Sequence, residues 1–388
     1  MKRQIYADHA ATTPLDPVAL EAMTPFLRDQ FANPSQPYAF ARAPKRALAD
    51  AREKIARAIN AEPDEIVFTS GATESDNWAI HAEFLDESAN CNRDAVVASA
   101  FEHHAVLRPL EVARRRGRTT ALAHPDRNGI VAPDALETVL QSLARPARVV
   151  SVMTANNELG ALQPIAALAE VARRYGALFH TDAAQAAGHV PLDVKALDVD
   201  LMSASAHKFN GPKGVGFLYI KRGLALAPWA SGGGQESGRR AGTENVAGIV
   251  GMATALERSV AEMVERNAKL NRMTQTLLAR LRESDVEFAV NGAGSDQTLP
   301  GLISLALPGF SAEALLHRLD LLGAIVSAGA ACDSKRTEIS HVLQAIRLDR
   351  NLAEGTIRIS FGATNPEEDA PELADAIVKI VRSQKENA

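Results

Sequence analysis

One stretch decides how the chain is interpreted: Ser203-Ala-Ser-Ala-His-Lys-Phe-Asn-Gly-Pro-Lys-Gly-Val-Gly216. It overlaps the end of a mostly apolar run that starts at residue 199, and such a run is typical of a buried strand. Lys208 then leaves the carboxyl end of that strand, where open α/β sheets usually bind their ligands. The position predicts a reactive lysine amine at the edge of a sheet.

A lysine amine attacks an aldehyde when burial or neighbouring cations lower its pKa, and pyridoxal 5'-phosphate is the aldehyde that proteins most often hold in this way. Ser205 and His207 are close to Lys208 in the sequence and are candidate donors to the phosphate of this cofactor. The alternative is that Lys208 and Lys213 are solvated loop lysines, because the glycines and the proline at residues 211–216 mark a turn. This stretch alone leaves both interpretations open.

The composition is that of an ordinary globular protein. With 388 residues the chain is long enough for two domains, and its net charge of -5 argues against a general nucleic-acid binder. We find no apolar run that would span a bilayer and no pattern of a secretory signal. The two cysteines, Cys91 and Cys332, are too few for a disulfide framework or a multi-cysteine metal site. We therefore expect a cytoplasmic protein without a membrane partner.

Short apolar strands alternate with helices along most of the chain. Strands are predicted at residues 65–69, 95–99, 119–123, 148–153, 177–181, 199–203 and 215–220, and helices at 17–28, around 47–59, from 78, at 104–116, from 133 and at 164–174. This alternation predicts an α/β fold in which helices pack on a mostly parallel central sheet. A long helical region at 246–283 then leads to a second domain, with strands at 301–307 and 356–360.

Polar and small residues follow several of these strands. After the strand at 65–69, the order strand, small residues, helix predicts a phosphate site at Gly71, Ala72 and Thr73, although an ordinary capped turn is the alternative. His103 and Asn156 follow two other strands, and a histidine there is suited to stack on an aromatic cofactor.

Asp182 ends a further strand. A buried aspartate there would keep a pyridine nitrogen protonated, whereas the alternative is a helix cap or turn.

Four further features each have two interpretations. Asn33 is either a site residue or a turn former, and the glycine-rich residues 231–245 are a flexible connector or an arm that reaches a second subunit. Cys332 is a buried small hydrophobe or, among small residues and near two cations, a reactive thiolate. Arg358, in a strand between apolar neighbours, is exposed or forms a bidentate pair with a substrate carboxylate.

Taken together, motifs spread over nearly the whole chain resemble the cysteine desulfurases. In chain order they are Ala11-Thr-Thr-Pro14, Phe68-Thr-Ser-Gly-Ala-Thr-Glu-Ser75, Glu102-His103, Ala155-Asn-Asn-Glu158, His180-Thr-Asp182, Gln185, His207-Lys208, Gly238-Arg-Arg-Ala-Gly-Thr-Glu-Asn245 and Cys332. Their order and spacing are similar to those of the branch that supplies sulfur for nitrogenase and for housekeeping iron-sulfur clusters.

The resemblance implies a homodimeric, pyridoxal 5'-phosphate-dependent transferase of fold type I. Its large domain, residues 14–255, would hold the cofactor. Its smaller α+β domain would combine residues 1–13 with 256–388 and carry a mobile cysteine loop at about 326–340.

The resemblance also implies a role for each matching residue. Lys208 would form the Schiff base, His103 would stack on the ring, and Cys332 would take the sulfur. The remaining cofactor contacts would come from Gly71, Ala72, Thr73, Asn156, Asp182, Gln185, Ser205 and His207, with Thr243 of the partner subunit at the phosphate. Asn33 and Arg358 would bind the carboxylate of L-cysteine, and no metal is implied.

These roles imply that L-cysteine becomes L-alanine while its sulfur moves to Cys332 as a persulfide. The persulfide would then pass to a sulfur-acceptor protein, for iron-sulfur cluster assembly or for another pathway such as tRNA thiolation or DNA phosphorothioation. The cysteine loop departs from the family pattern Ser-Ser-Gly-Ser-Ala-Cys-Thr-Ser followed by Leu-Glu-Pro-Ser. This chain has Asp333 after the cysteine and lacks the proline, which leaves the acceptor open.

Two other functions fit parts of the sequence. One is another enzyme of the same fold that does not use Cys332, such as a selenocysteine lyase or an aminotransferase-like enzyme. The other is a non-catalytic docking partner that keeps the fold. The intact set of Lys208, Asp182, His103 and Arg358 argues against the docking partner, because a site that has lost its catalytic activity has no physical need for all four residues.

Overall fold

A computed structural model of the chain describes residues 3–81, 93–328 and 339–385. Its strands are β1 (Ile5–Tyr6), β2 (Ile66–Thr69), β3 (Ala95–Ser99), β4 (Thr120–Ala123), β5 (Ala147–Ser151), β6 (Leu178–Asp182), β7 (Leu201–Ser205), β8 (Gly216–Ile220), β9 (Ala289–Asn291), β10 (Leu302–Ala306), β11 (Ala324–Ile325) and β12 (Thr356–Ser360).

Helices connect these strands. They are α1 (Pro17–Arg28), α2 (Arg42–Ala58), α3 (Ala72–His81), α4 (His104–Arg115), α5 (Pro133–Ser142), α6 (Ile165–Arg174), α7 (Val194–Leu197), α8 (Val246–Ala261), α9 (Met263–Glu283), α10 (Ala312–Leu322), α11 (His341–Ala345), α12 (Arg350–Glu354) and α13 (Asp369–Lys385). Across the described ranges, no helix has the length and apolar character needed to cross a membrane.

The central sheet has the strand order β2-β8-β7-β6-β5-β3-β4. Neighbouring strands from β7 to β4 are parallel, and β8 runs antiparallel to both β2 and β7. The mostly parallel α/β fold predicted from the sequence is therefore confirmed. Because β3, β5, β6 and β7 are parallel, their carboxyl ends share one edge of the sheet, which is where such folds bind ligands.

A second sheet has its own apolar core. It is antiparallel, with the order β12-β10-β9, and β1 pairs with β11 beside it. Its core contains Leu305, Ile359 and buried residues of α9 and α13 such as Leu277 and Ile377. A separate and larger core surrounds the central sheet. The domain boundary near residue 255 stays a prediction.

Local sequence signals predict some helix boundaries correctly and others wrongly. Asp16 caps α1 by accepting hydrogen bonds from the amides of Val18 and Ala19, so the helix begins at Pro17 as predicted. The helix predicted from Trp78 was placed wrongly, because α3 begins six residues earlier at Ala72. Trp78 is fully buried there, and packing of the small polar residues before it against the sheet overrides their weak helix propensity.

The predicted long helix at 246–283 is also interrupted. It consists of α8 and α9, with a break at Glu262. This break lies between the two apolar cores, because buried residues of α8 belong to the core of the central sheet and those of α9 to the core of the second sheet.

Gly216 allows β8 to approach the turn that follows β2. A Cβ atom on Gly216 would lie 2.4 Å from the carbonyl oxygen of Ala204 and 2.6 Å from Cα of Gly71. Both contacts are with backbone atoms, which cannot rotate away as a flexible side chain can. We predict that Gly216→Ala lowers the free energy of unfolding by about 1–3 kcal/mol, measured by chemical denaturation.

Gly234 provides the matched control, since no atom of the described residues lies within 4 Å of the Cβ position there. Gly234→Ala should change the free energy of unfolding by less than about 0.5 kcal/mol. Equal stabilities of the two variants would contradict the importance of this close approach.

Candidate active site

Lys208 lies in a short 3-10 turn, Ala206–Lys208, directly after β7. Its Nζ donates hydrogen bonds to the carbonyl oxygens of Ala10 at 2.6 Å and Ala11 at 2.9 Å. The same amino-terminal segment is held in place by Thr13, whose amide and hydroxyl both donate to the carbonyl of His207, at 3.0 and 2.9 Å. The backbone of residues 10–13 thus positions the lysine, which the sequence analysis did not anticipate.

Asp182 ends β6, the strand beside β7, and pairs in register with Ser203. Its Oδ1 accepts a hydrogen bond from the amide of Ala184 at 2.8 Å, which is the turn contact that the alternative interpretation expected. Burial raises the pKa of the Asp182 carboxyl to about 6, while the Ala184 amide and the charge of Lys208 oppose this rise. The turn contact therefore coexists with an electrostatic contact with Lys208.

His103 caps α4 at the carboxyl end of β3. Its Nδ1 accepts a hydrogen bond from the amide of Ala105 at 3.1 Å, so the proton of the neutral ring is on Nε2. Burial lowers the pKa of His103 to about 4, and the charges of Lys208 and His341 lower it further. The ring is therefore uncharged at neutral pH, as a stacking partner for an aromatic cofactor should be.

A polar cradle suited to a phosphate lies next to Lys208. In the described part of the chain, the amides of Ala72 and Thr73 at the start of α3 have no acceptor, as expected for the first turn of a helix. Gly71, with a φ of 152°, keeps this turn open, since a Cβ atom there would lie 3.3 Å from Oγ of Ser205. Free amides, a hydroxyl and the positive end of a helix dipole together bind phosphate well.

His207 lies beside this cradle, and its Nδ1 is 3.2 Å from Oγ1 of Thr12. Burial lowers the pKa of His207 to about 4, with further lowering by the charges of Lys208 and Lys213. The ring is neutral near pH 7, so it would contribute to phosphate binding as a hydrogen-bond donor and not as a cation.

The amide side chains of Gln185 and Asn156 are engaged by the protein. Gln185 donates to the carbonyl of Ala10 at 2.9 Å, the same oxygen that Lys208 contacts. Asn156 is fully buried, and its Oδ1 accepts from two backbone amides while its Nδ2 donates to the carbonyl of Phe101 at 3.0 Å and to Sδ of Met153 at 3.4 Å. It therefore fixes the turn after β5, and a contact with the cofactor ring stays a prediction.

The two residues expected to bind the substrate carboxylate differ in their surroundings. Asn33 accepts a hydrogen bond from the amide of Ser35 at 3.0 Å, which makes it a turn former in this structure. Arg358 is buried in β12 and donates to Oδ1 of Asp8 at 2.7 Å and to the carbonyl of Asn157 at 2.9 Å. The alternative that Arg358 is an exposed strand residue is wrong.

The glycine-rich segment at 231–245 is anchored on its own subunit. Glu236 forms a bidentate ion pair with Arg52, at 2.7 and 2.9 Å, and also accepts from the amide of Phe68 at 2.9 Å. Arg240 binds Glu74 at 2.9 Å. These contacts argue against a flexible connector. Thr243 is exposed, and its expected position at the phosphate of a partner subunit stays a prediction.

Some expected residues lie outside the described residues, and some buried polar residues were missed. Cys332, Asp333 and Cys91 belong to the first group. The second group contains Asp76 and Glu102, which are fully buried in the core behind Asp182. Asp76 directly follows the quoted motif at residues 68–75, and Glu102 belongs to the quoted pair Glu102-His103, but the sequence gives no sign that either carboxyl group is buried.

The geometry fits pyridoxal 5'-phosphate. A lysine amine that can meet an aldehyde lies between a phosphate cradle, a buried carboxyl that can hold a protonated ring nitrogen, and a neutral imidazole. These groups come from the carboxyl ends of β2, β3, β6 and β7, so the fold itself brings them to one edge.

Comparisons with known proteins agree with this chemistry. Residues 5–373 match the family model described as aminotransferase class-V. A cysteine desulfurase IscS of Dictyoglomus turgidum is 43% identical over 98% of this chain and 95% of its own length, and one of Clostridium botulinum is 40% identical over 100% and 96%.

Solved structures are also similar. A NifS-like protein superposes with a TM-score of 0.88 at 33% identity, covering 98% of this chain and 99% of the other. A structure described as SspA in complex with cysteine has a TM-score of 0.80 at 32% identity, covering 92% and 99%. The chain therefore belongs to the class-V aminotransferase family and, within it, to the cysteine desulfurases, which are enzymes that depend on pyridoxal 5'-phosphate.

Proposed function

We propose that this enzyme converts L-cysteine to L-alanine and takes up the sulfur on Cys332 as a persulfide. The observation that carries the proposal is the meeting of Lys208, Asp182 and His103 beside the phosphate cradle, because this set suits chemistry on an amino acid. The structure described as SspA in complex with cysteine supports L-cysteine as the substrate.

The reaction balances without an added oxidant or reductant. The bond between Cβ and sulfur of L-cysteine breaks, and a C–H bond forms at Cβ. The sulfur forms an S–S bond with the Cys332 thiol, so that L-cysteine and a thiol become L-alanine and a persulfide. The sulfur loses a pair of electrons and is oxidised, and the substrate carbon gains the same pair and is reduced.

Different residues of the chain would bind different parts of the cofactor. Bound pyridoxal 5'-phosphate supplies an aldehyde carbon for an amine and a ring that withdraws electrons from the bonds at Cα. The amides of Ala72 and Thr73, with Ser205 and His207, would hold its phosphate, joined by Thr243 of the partner subunit. Asp182 would hold a proton on the ring nitrogen, because its carboxyl is buried at the end of β6 and the charge of Lys208 favours its ionised form.

Lys208 and His103 are suited to move protons at the substrate. Two backbone carbonyl oxygens hold Lys208 Nζ, so its amine has a fixed position at the edge of the sheet. His103 is neutral with its proton on Nε2, so its ring can donate a hydrogen bond to a negative charge that develops on the substrate. Both side chains are half-buried, which limits the water that would compete for these protons.

Arg358 and Asn33 would bind the substrate carboxylate. Arg358 is suitable because its guanidinium is buried, and within the described residues its Nε has no hydrogen-bond partner. A buried unpaired donor is unfavourable until a ligand satisfies it. Asn33 keeps its Nδ2 for the same carboxylate, since its turn uses only Oδ1.

The enzyme would act as a homodimer. Large apolar side chains are exposed together in and after α1, including Leu27, Phe31 and Phe40, and the last two rings pack edge to face at 5.4 Å. Phe31 is 70% exposed in the single chain. Such a patch is unfavourable in water and suits the buried centre of a protein interface.

We further propose a cytoplasmic location, because Cys332 must stay reduced between turnovers and the cytoplasm keeps thiols reduced. The persulfide would pass to a sulfur-acceptor protein. Iron-sulfur cluster assembly is the first candidate pathway, with tRNA thiolation or DNA phosphorothioation as the specialised alternatives that Asp333 and the missing loop proline leave open.

Replacement of Cys332 by serine tests the sulfur transfer. We expect alanine formation from L-cysteine to fall by about 100-fold or more, because the hydroxyl is a poor acceptor of sulfur. Mass spectrometry of the wild type after incubation with L-cysteine should show one additional sulfur on Cys332. Alanine formed at the wild-type rate by Cys332→Ser would indicate a lyase that does not use this residue.

Replacement of Lys208 by alanine tests the cofactor assignment, and Lys213→Ala is its matched control because Lys213 is a nearby exposed lysine. We expect Lys208→Ala to lose the visible absorbance of the covalently bound cofactor and to lower turnover by about 100–10,000-fold. Lys213→Ala should keep both. If both variants kept the absorbance, Lys208 would be only a loop lysine.

The double variant Phe31→Glu/Phe40→Glu tests the dimer. Two charges in the centre of an interface should weaken dimerisation by about 100-fold or more, since large central aromatic residues contribute about 2 kcal/mol or more each. Analytical ultracentrifugation measures the change. Leu321→Glu is the control, because Leu321 is also a large apolar residue, 83% exposed, but belongs to α10 and not to the patch around α1. A double variant that stays dimeric would place the interface elsewhere.

A further inference from the structure

Three carboxyl groups are buried close together in the core behind Lys208. Asp76 belongs to α3, Glu102 follows β3, and Asp182 ends β6, and Asp76 and Glu102 have no exposed surface. Each of the other two carboxyls acts electrostatically on Asp76, so the three groups form one cluster. Several carboxylates without water cannot all be charged, because each added charge is repelled by those already there.

The hydrogen-bond donors around the cluster are distributed unequally. Asp182 accepts from the amide of Ala184 at 2.8 Å and is stabilised by the positive charge of Lys208. Glu102 accepts from the amide of Met153 at 2.7 Å and from the hydroxyl of Ser99, but its Oε2 has no partner among the described residues.

Asp76 has the fewest stabilising contacts of the three. Neither of its oxygens has a hydrogen-bond partner in the part of the chain that the structure describes. Nε2 of His180 lies 3.6 Å from its Oδ1, and the hydroxyl of Ser203 acts in favour of its charged form.

His180 cannot supply a positive charge to Asp76. It is fully buried, and its two ring nitrogens contact Oγ of Ser151 at 2.8 Å and Oγ of Ser203 at 2.9 Å. Burial lowers the pKa of His180 to about 3, so the ring that lies near Asp76 is neutral at neutral pH. A charged Asp76 would therefore be stabilised by the neutral hydroxyl of Ser203 and, within the described residues, by no partner cation, which is less favourable than a neutral acid.

We propose, on the basis of the function proposed above, that this cluster carries a single negative charge on Asp182, and that Asp76 and Glu102 are positioning residues kept as neutral acids behind it. The charge is located where the amide of Ala184 and the cation of Lys208 stabilise it. Asp76 supports β6 through His180, two residues before Asp182, and Glu102 immediately precedes His103. The cofactor ring nitrogen then meets one full carboxylate charge and not a charge shared among three groups.

The pKa directions are consistent with this arrangement. Burial raises the pKa of Asp76 well above its ordinary value, and the charge of Asp182 raises it further. Burial raises the pKa of Glu102 to about 8, against the opposing effect of the Ser99 hydroxyl. Groups from other elements also face the cluster. His180 is neutral, Lys208 acts on Asp182, the Ser203 hydroxyl favours the charged form of Asp76, and Nε2 of His341 lies 2.9 Å from the backbone carbonyl of Glu102.

Infrared difference spectroscopy of the holoenzyme at pH 7 tests the charge of each group. Wild type minus Asp76→Asn and wild type minus Glu102→Gln should each show the C=O stretching band of a protonated carboxyl. Wild type minus Asp182→Asn should instead show the two stretching bands of a carboxylate. Asp94→Asn is the control for a buried charged aspartate, because Asp94 pairs with Arg145 at 2.6 Å.

Carboxylate bands from Asp76 or Glu102, or a protonated band from Asp182, would overturn the proposal. If Asp76→Asn does not fold, wild type labelled with ¹³C at the aspartate side-chain carboxyl tests the same charge state. One protonated aspartate band must then shift with the isotope, and its absence overturns the proposal. None of these spectra depends on turnover, so failure of the desulfurase function would appear separately, in the alanine and persulfide measurements.

The pH dependence of stability provides a second test of Glu102. Its carboxyl has a pKa of about 8 when folded and an ordinary value of 4.5 when unfolded. Between these values the unfolded chain releases a proton that the folded chain keeps, so wild type becomes less stable as the pH rises. Relative to Glu102→Gln, its folding equilibrium constant should fall up to about tenfold per pH unit and then run parallel above pH 8. Parallel curves from pH 5 upward would contradict a neutral Glu102.

Discussion

The ammonium group of Lys208, held against the carbonyl oxygens of Ala10 and Ala11, is the contact on which the site depends. A cation at the edge of a buried sheet needs acceptors, and here they come from the backbone of the amino-terminal segment. That segment also pairs with the second sheet, through the bridge between Asp8 and Ser360. The position of the lysine is therefore set jointly by both apolar cores, although it follows a strand of only one.

The charge of Lys208 then sets the states of its neighbours. It lowers the pKa values of His103 and His207, which burial already lowers, and it opposes the rise that burial imposes on Asp182. The result is two neutral imidazoles and one carboxyl that ionises near neutral pH. The charge of Lys208 and burial together keep the two imidazoles neutral, so these rings act as hydrogen-bonding groups. The same charge favours the ionised form of Asp182 against the effect of burial.

The sequence predicted the fold and the sheet-edge residues because their signals are local. Alternating strands and helices indicated the parallel sheet, and Asp16 with Pro17 placed the start of α1. The start of α3 was missed, since tertiary packing decides it. The carbonyls of Ala10 and Ala11 could not be predicted, because every residue has a carbonyl. The partner of Arg358 could not be predicted either, because Asp8 lies 350 positions away in the sequence.

The pair of Arg358 and Asp8 has a consequence for substrate binding. Arg358 already donates to Asp8 at 2.7 Å, so the substrate carboxylate proposed to bind this guanidinium must either use Nε, which has no partner among the described residues, or compete with Asp8. Competition would weaken the hold on a segment that two residues later supplies a carbonyl to Lys208. Binding of the substrate carboxylate and release of the lysine amine would then be coupled through residues 8–11. Such coupling would release the amine only when an amino acid is bound, which is when the amine has to be free.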